Sequence, residues 1–500
     1  MTTYLTTAIP YVNAAPHLGH ALELVQADVL ARHRRLRGEP VRFLTGTDDN
    51  ALKNVTAARS AGRPVRAFVD ASAARFAALR EPLHLSNDDF IRTSTDPRHA
   101  QGVRSLWLAC RKDLYLRSYE GRYCAGCEQF YPPGEQCTEH AGPLDTVTER
   151  NWFFRLSRYQ DQIQTILESD FVRVTPAPRR NEVLAFVRAG LTDFSVSRPA
   201  SRADGWGIEV PGDPDQVVYV WWDALTNYVT ALGPGTRNEG ERSDSELYRG
   251  ELGDSELYRS ELGDSELYRR WWEQSDERIH VIGKGIVRFH AVYWLALLLS
   301  AGLPLPTSIL VHDYLTVDGA KISKAAGNTV DPVRLAADYG PDALRWWLLR
   351  DVAAVGDTDF TVDRLLRRHD EDLANGLGNL VNRTLTLIHK HRPAGLSPAP
   401  IDSDVPARID RALAAFDFRA ALDALWSLVD VGNRLVETER PWQLPATPRF
   451  DEILSTLLAL SRLAATELAP FLPDGSARLL AQLDGTAPRS PAFHHRTPPT

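Results

Sequence analysis

The first sixty residues alternate between short apolar runs and longer amphipathic stretches. "TTYLTTAIPYV" and "PVRFLTGTDDN" are rich in β-branched and aromatic residues, which predicts two buried strands. Each is followed by helical spacing, over residues 17–37 ended by Gly38 and over "ALKNVTAARSAG" ended by Gly62. Strand–helix–strand–helix opens a doubly wound parallel sheet, so the pattern predicts an α/β fold of the Rossmann type.

The same pattern returns after an interruption. Residues 113–200 hold a cysteine cluster and many aromatics, as expected of an insertion. "VVYVWWDALTNYVTAL" at 217–232 and "IHVIGKGIVRFHAVYWLALLLSAG" at 279–302 then resume strand followed by helix, and "SILVHDYLTVDGAKISK" adds a strand and a loop. Residues from about 365 to 485 have helical spacing broken by proline-rich loops, which predicts a separate α-helical bundle.

These changes of pattern predict six segments. They are 1–112 and 201–310 as the two halves of the Rossmann domain, 113–200 as the insertion, 311–364 with a lysine-containing loop, 365–485 as the bundle and 486–500 as a disordered tail. The second half carries an excursion, 236–270, in which "SELYR" recurs at 245, 255 and 265. Ten residues are not a whole number of helical turns, so the copies do not share one helix face, and we expect a surface excursion without function.

Charge and hydropathy narrow the class of protein. The net charge of −8 does not favour nucleic-acid binding by the surface as a whole, although a local basic face suffices for it. The sequence contains no uncharged apolar run long enough to span a membrane, and its N-terminus lacks the pattern of a signal peptide. We therefore expect a cytoplasmic protein without membrane contact.

Four potential metal ligands lie close together in "YCAGCEQFYPPGEQCTEH". Cys124 and Cys127 form one pair and Cys137 and His140 a second, at the spacing of a zinc knuckle. Three thiolates and one imidazole suit tetrahedral Zn²⁺ and leave no position for a reactive water, so the spacing predicts a structural metal. Chance clustering of thiols is the alternative, and the spacing does not distinguish zinc from iron.

Two histidines and two distant lysines are candidates for phosphate binding. His17 and His20, with Gly19 between them, stand at a predicted helix start after the first strand, where doubly wound sheets bind nucleotide phosphates. A capping or solvated pair, or half a metal site, are the alternatives. Lys321 and Lys324 are two of only six lysines, and a loop carrying them can wrap a triphosphate, the alternative being a solvated loop.

Together "HLGH" and "KISKA" resemble the HIGH and KMSKS signatures of class I aminoacyl-tRNA synthetases. The chain resembles the methionyl-tRNA synthetase family from residue 4 to about 472. The resemblance is carried by "YVNAAPHLGH", the cysteine motif, "NWFFRLSRY", "VSR", "YVWWDALTNYV", "IGKGIVRFH", "LGNLVNR" and "ETERPW".

The resemblance implies an assignment for each matching residue. Residues expected to surround the amino acid are Ile9, Tyr11, Asp48, Arg198, Trp221, Ala224, Tyr228, Ile286 and His290, with Asp48 on the ammonium and a hydroxyl able to reach the thioether. Residues expected to bind ATP are Gly19, His20, Gly283, Leu315 and Lys324, and the catalytic set is His17, His20, Lys321 and Lys324. Residues expected to recognise a CAU anticodon in the bundle are Asn379, Arg383 and Trp442. Residues 311–364 would include the region that contacts the tRNA stem.

The activity implied is a two-step ligation. ATP, with Mg²⁺, activates L-methionine as methionyl-adenylate, and the aminoacyl group then passes to the 3′ end of a tRNA. The histidines and lysines would act by positioning and by stabilising charge. A monomer with structural Zn²⁺ fits this resemblance.

The sequence departs from the family pattern at four places. Asn50 and Ala51 replace His and Gly of the usual TDEHG, Gly285 replaces Asp of IGKDI, Ala325 ends the lysine motif in place of Ser, and the repeat at 241–270 is foreign. Two alternatives therefore stay open: a tRNA-independent paralogue that adenylates another amino acid in secondary metabolism, and a non-enzymatic tRNA-binding paralogue.

Overall fold

The computed structural model describes residues 1–124, 129–131, 136–137, 144–233, 262, 264–322, 329–485 and 490–495. Its strands are β1 Thr3–Thr7, β2 Val41–Thr47, β3 Asp89–Arg92, β4 Leu114–Cys124, β5 Gln129–Tyr131, β6 Asp145–Phe154, β7 Arg173–Thr175, β8 Phe194–Ser195, β9 Ser197–Pro199, β10 Glu209–Val210, β11 Asp213–Val218, β12 Glu277–Gly283, β13 Ser308–His312, β14 Leu315–Val317, β15 Ala320–Lys321 and β16 Thr358–Asp359. Its main helices are α1 Leu18–Leu36, α2 Leu52–Ser60, α3 Val65–Ala77, α4 Pro97–Ala109, α5 Gln160–Glu168, α6 Ala177–Arg188, α7 Val220–Thr230, α8 Leu295–Ala301, α9 Pro332–Tyr339, α10 Pro341–Arg350, α11 Val362–Arg368, α12 Asn379–His391, α13 Val405–Ala414, α14 Phe418–Glu439, α15 Pro448–Leu468 and α16 Pro473–Leu483.

A parallel sheet forms the centre of the first of two compact units. This unit comprises Met1–Pro16, Glu39–Ala78 and Asn87–His312. Among the described residues its strands run in the order β3–β2–β1–β12–β13–β7, each parallel to its neighbours. Every residue of β1 is buried, as expected of an inner strand of a parallel sheet. The strand order reverses between β1 and β12, and ligands bind such sheets at the carboxyl ends of the strands at this switch point. The predicted parallel-sheet α/β fold is confirmed.

Two short strands differ from the sequence pattern. β7 falls within the range 113–200, yet it is the edge strand of the central sheet, where Ile309 of β13 lies opposite Val174. β11, which was expected to resume the sheet, instead pairs antiparallel with β9 and β10. Strand partners depend on contacts between distant residues, and a run of three to six residues carries no signal for them.

A second antiparallel sheet occupies the segment that interrupts the Rossmann pattern. Its order is β5–β4–β6–β8. The long strands β4 and β6 pair from Leu114 opposite Phe154 to Tyr123 opposite Asp145.

The second compact unit is mainly helical. It comprises His17–Gly38, Leu79–Ser86 and Asp313–Thr500. Helix α14 packs against α13 and α15, and α15 packs in turn against α12 and α16. The small sheet β15–β14–β16 precedes these helices in the chain. The predicted helical C-terminal region is therefore confirmed.

A buried ion pair joins three parts of the second unit. Asp28 of α1 lies 2.8 Å from the guanidinium of Arg345 on α10, and neither side chain is exposed. Arg345 also donates to the main-chain oxygens of Leu83, Pro470 and Phe471. Burial alone would raise the pKa of Asp28, but the charges of Arg345 and Arg32 hold this pKa below its usual range. The pair thus stabilises the docking of α1 on the helical unit.

Among the helices that the structure describes, none combines the length and apolar character required to cross a bilayer.

Candidate active site

The predicted amino-acid residues of the first unit gather at the switch point of its central sheet. Ile9 and Tyr11 follow β1, Asp48 follows β2, and Ile286 follows β12, so all four lie just beyond the carboxyl ends of neighbouring strands. Gly283 is the last residue of β12, opposite His312 at the end of β13. Sheet topology alone therefore brings together positions that are nearly 280 residues apart in the chain.

Asp48 is a buried carboxylate held by main-chain contacts. Its own N–H donates to the oxygen of Pro10 at 2.9 Å, and Asp48 pairs with Tyr11 in a parallel bridge between the segments that leave β1 and β2. The N–H of Asn50 donates to Asp48 Oδ1 at 3.2 Å. A buried carboxylate fixed in this way favours a cationic ligand, such as a substrate ammonium group.

Aromatic rings form one wall beside this carboxylate. Trp221 stacks on Phe289, with ring centroids 3.8 Å apart and planes 9° from parallel. Tyr11 meets the Trp221 ring edge-on at 6.2 Å. Helix α7, which begins at Val220, carries Trp221, Ala224 and Tyr228, so three predicted residues share one element. Phe289 was not predicted, although it lies in the quoted run "IGKGIVRFH".

A hydrogen-bonded pair fixes the tautomer of His290. Its Nδ1 lies 3.0 Å from the oxygen of Ile286, and its Nε2 lies 2.7 Å from the hydroxyl of Tyr228. Burial lowers the pKa of His290 to about 4, so the ring is neutral at pH 7. Nδ1 therefore donates to Ile286 and Nε2 accepts the Tyr228 proton. The Tyr228 hydroxyl proton is therefore given to His290.

A second buried layer supports Tyr228 and was not predicted from the sequence. His280 stacks on the Tyr228 ring at 4.2 Å, and the hydroxyl of Tyr4 donates to the oxygen of Tyr228 at 2.9 Å. Trp294 Nε1 donates to His280 Nε2 at 3.2 Å, so His280 Nδ1 donates to Thr6 Oγ1. Burial lowers the pKa of His280 well below its usual value. This hydrogen-bonded layer therefore carries no charge at pH 7.

Arg198 lies beside the aromatic wall. Its guanidinium sits 4.2 Å above the ring of Tyr219 and donates to Ser195 Oγ at 2.8 Å and to the oxygen of Ser197 at 2.7 Å. Tyr219 packs in one small cluster with Tyr11 and Trp221. The structure thus connects Arg198 to the pocket through an aromatic ring.

His17 and His20 lie in the second unit, where they cap the N-terminus of α1. His17 is the N-cap, and its Nδ1 accepts from the N–H of Gly19 at 3.1 Å. His20 Nδ1 accepts from the N–H of His17 at 3.0 Å, and the two rings stack 3.8 Å apart. His17 therefore precedes the helix, and His20 lies in its first turn. With both Nδ1 atoms accepting, each neutral ring carries its proton on Nε2 and is a donor there.

The structure also describes the surroundings of Gly19, Leu315 and Lys321, which the sequence predicted as site residues. A Cβ on Gly19 would lie 3.1 Å from the His17 ring, so any larger residue here would press against the cap. The N–H of Leu18 donates to the oxygen of Val330, which follows the lysine loop, at 3.0 Å. Leu315 is buried in β14, and the backbone of Lys321 pairs with Thr316. Lys324 lies outside the described residues.

Two of the three predicted anticodon residues are in contact within the helical unit. The Arg383 guanidinium lies 5.2 Å from the ring centre of Trp442, which is half exposed. Asn379 is exposed at the start of α12, four residues before Arg383. A guanidinium, an indole and an amide at one surface suit stacking and hydrogen bonding to unpaired bases.

The cysteine motif is described in part. Cys124 ends β4 opposite Gln129 of β5, and Cys137 lies further along the chain. Cys127 and His140 lie outside the described residues. Within the part of the chain that the structure describes, no three His, Cys, Asp or Glu residues form a metal-binding group.

Sequence and structure comparisons identify relatives of nearly the same length. A family model described as tRNA synthetases class I (M) matches residues 3–141 and 135–385. A methionine--tRNA ligase of Brucella suis is 38% identical over 503 residues, covering 95% of this chain and 90% of the relative. One from Mycobacterium bovis is 38% identical, covering 98% and 93%.

Solved structures agree with these relatives. Mycobacterium tuberculosis methionyl-tRNA synthetase in complex with methionyl-adenylate superposes with a TM-score of 0.85 at 34% identity, covering 98% of this chain and 99% of that one. The apo form of the synthetase from the same organism gives a TM-score of 0.80 at 32% identity, covering 100% and 99%. Because the fold, the pocket at the switch point and these matches agree, the chain belongs to the class I tRNA synthetases, in the methionyl-tRNA synthetase family.

Proposed function

We propose that this protein is a methionine--tRNA ligase that uses ATP to activate L-methionine and then transfers it to the 3′ end of a tRNA. The observation that carries this proposal is the pocket of the first unit, where the buried carboxylate of Asp48 lies beside aromatic residues. Asp48 is suited to the ammonium group, and Trp221, Ala224 and Ile9 supply apolar surface for a flexible thioether side chain.

The arrangement of Tyr228 and His290 supports a neutral ligand side chain. Neither ring carries a charge at pH 7, and the hydroxyl proton is given to His290 Nε2. A charged side chain would have to lose its water beside this neutral pair, at a cost on the order of several kcal/mol. A thioether is satisfied by contact with aromatic rings alone.

The adenylation step requires no nucleophilic side chain. The methionine carboxylate attacks the α-phosphate of ATP, an O–P bond forms, and pyrophosphate leaves with the electron pair of the broken bond. His17 and His20 are suited to donate from Nε2 to phosphate oxygens, and Lys321 and Lys324 to stabilise charge on the departing pyrophosphate. Mg²⁺ enters as the partner of ATP. A ribose hydroxyl of the tRNA then attacks the carbonyl carbon and releases AMP.

The proposal also includes a structural zinc ion and recognition of the tRNA anticodon. Three thiolates and one imidazole fit Zn²⁺, which would close the β4–β5 hairpin as a structural ion. Asn379, Arg383 and Trp442 are suited to read a CAU anticodon. A monomer in the cytoplasm stays a prediction from the family, and light scattering of the purified protein tests the monomer.

Methionine-dependent exchange of pyrophosphate into ATP, followed by charging of a CAU-anticodon tRNA, tests this function. Both activities are expected. Exchange without charging would favour the tRNA-independent paralogue, and so would exchange with another amino acid only. Binding of tRNA without any exchange would favour the non-enzymatic alternative. A tRNA with a changed anticodon is the matched control for the CAU reading.

A further inference from the structure

We infer that Asn50 is a positioning residue that sets the methionine pocket by joining the Asp48 loop to helix α7, an inference that rests on the proposed function. Asn50 stands where the family usually has histidine. It lies in the segment between β2 and α2, two residues after Asp48.

Asn50 contacts both sides of the pocket. Its main-chain N–H donates to Asp48 Oδ1 at 3.2 Å. Its side-chain Nδ2 donates to Asp223 Oδ2 at 2.8 Å and to the oxygen of Thr93 at 3.3 Å. Asp223 is on α7, between Trp221 and Ala224. One residue therefore connects the carboxylate suited to the substrate ammonium with the helix that forms the side-chain wall.

The acceptor of this contact is a buried carboxylate with a second partner. The Asp223 side chain is 1% exposed, and its Oδ1 accepts from His99 Nε2. The other ring nitrogen of His99 lies 2.7 Å from Thr230 Oγ1, also on α7. The network thus holds α7 at two points, and Ala224 and Tyr228 lie between them.

The kind of side chain required at position 50 follows from Asp223, whose two carboxylate oxygens accept hydrogen bonds. A side chain here must donate a hydrogen bond, because a buried carboxylate oxygen without a donor is costly. An amide provides this donor, and so does an imidazole. Asn50 and the histidine usual in the family are therefore alternative donors to one acceptor, and the departure in the sequence preserves the pocket.

Asn50→Asp tests the inference, because it keeps the shape of the side chain and replaces the donor with a carboxylate. Two carboxylates about 2.8 Å apart cannot both ionise without repulsion, so at low pH they share one proton. In methionine-dependent pyrophosphate exchange we expect the KM for methionine to rise about tenfold or more at pH 8. We expect the ratio of variant to unaltered KM to fall as the pH is lowered to 6, while the KM for ATP stays within about twofold.

Further variants separate positioning from general damage to the fold. Asn50→Ala removes the donor without adding charge, so its KM ratio for methionine should be raised equally at both pH values. Asn50→His keeps a hydrogen-bond donor at this position, so its KM for methionine should equal that of the unaltered chain. Asn181→Asp, an exposed position on α6, makes the same charge change and should leave both KM values unchanged.

Two results would overturn the inference: a KM for methionine in Asn50→Asp that equals that of the unaltered chain at both pH values, or a raised ratio that does not change with pH. An unaltered chain without any methionine-dependent exchange would instead overturn the proposed function, and this inference with it.

Discussion

The ring nitrogen that each histidine uses decides what the residue contributes to the site, and only the structure shows which nitrogen that is. The sequence predicted His17, His20 and His290 as site residues from their motifs. A capping pair was one alternative for His17 and His20, but the sequence did not indicate that both use Nδ1 for it, or that His290 uses both nitrogens within the pocket. The partners of Asn50 were equally hidden, because Asp223 lies 173 residues away. Residue types follow from a motif, whereas hydrogen-bond partners follow from the fold.

We expect His290 to make stability depend on pH. Its pKa is about 4 in the folded chain because the ring is buried, and about 6.5 when unfolded. The unfolded chain therefore binds the extra proton first, so this contribution is complete above about pH 6.5 and is lost as the pH falls towards 4. The loss amounts to about 3 kcal/mol.

Urea unfolding of the unaltered chain and of His290→Gln between pH 7.5 and 4.5 measures this contribution. The variant should lose less free energy of unfolding on acidification. His389→Gln, at an exposed histidine, is the control and should follow the unaltered chain. Equal pH dependence in His290→Gln and the unaltered chain would refute the argument.

At the scale of elements, the alternation of apolar runs and helical spacing was sufficient to locate the inner strands and the long helices. β1, β2, β12 and β13 and helix α1 fall where the pattern places them. The sequence did not reveal that the three residues of β7 complete the sheet, since their partner strand is some 130 residues further on. Nor did it reveal the π-helical turns, such as Phe289–Trp294, which place Phe289 and His290 in the pocket wall.

The first turn of α1 yields a prediction for Gly19→Ala. The added methyl group would displace the His17 ring, which lies 3.1 Å from it, and weaken the contact between His17 Nδ1 and the N–H of Gly19. We expect kcat/KM for ATP in pyrophosphate exchange to fall about tenfold or more, as for a lost charge-assisted contact in the transition state. Methionine binding measured by calorimetry should not change. Asp417→Ala, which removes the cap of α14, controls for the loss of a helix cap and should leave exchange intact.

The buried pair between α1 and α10 predicts a large stability effect. Asp28→Asn leaves the Arg345 charge without its counter-ion, and breaking a buried pair in this way costs about 3–5 kcal/mol. Chemical unfolding should show a decrease in the free energy of unfolding of this size. Glu452→Gln, in an exposed pair with Arg449, is the comparison and should cost less than about 1 kcal/mol. Similar losses in both variants would mean that burial of the Asp28 pair is unimportant.

At the scale of the whole molecule, the order and spacing of the motifs identified the family before any contact was known. The same comparison exposed the repeat at 241–270 as foreign. The structure describes both flanks of this region: Ser265 Oγ donates to the oxygen of Leu232, so the chain leaves and returns at neighbouring points. Lengthening a segment whose ends lie close together costs little free energy of folding, because the entropy lost on closing a loop grows only slowly with loop length.

We therefore expect residues 236–260 to be replaceable by a short Gly-Ser linker. Methionine-dependent exchange should keep its kcat/KM within about twofold, because the flanking contact fixes the ends whatever the loop length. Thermal unfolding of the shortened chain should show the same midpoint. Loss of exchange in a shortened chain that still folds would assign the repeat a part in catalysis.

The stacked histidines at the start of α1 also constrain how this stretch can evolve. His17, Gly19 and His20 are each fixed by the others, through two hydrogen bonds and a ring contact, whereas Leu18 between them is a buried side chain without such a partner in the cap. A single change at any of the three is therefore expected to disturb both the helix start and the proposed phosphate contacts. Position 18, where this chain carries leucine in place of the isoleucine of the family signature, is therefore the one in this tetrapeptide at which we expect exchange for another apolar residue to leave the cap intact.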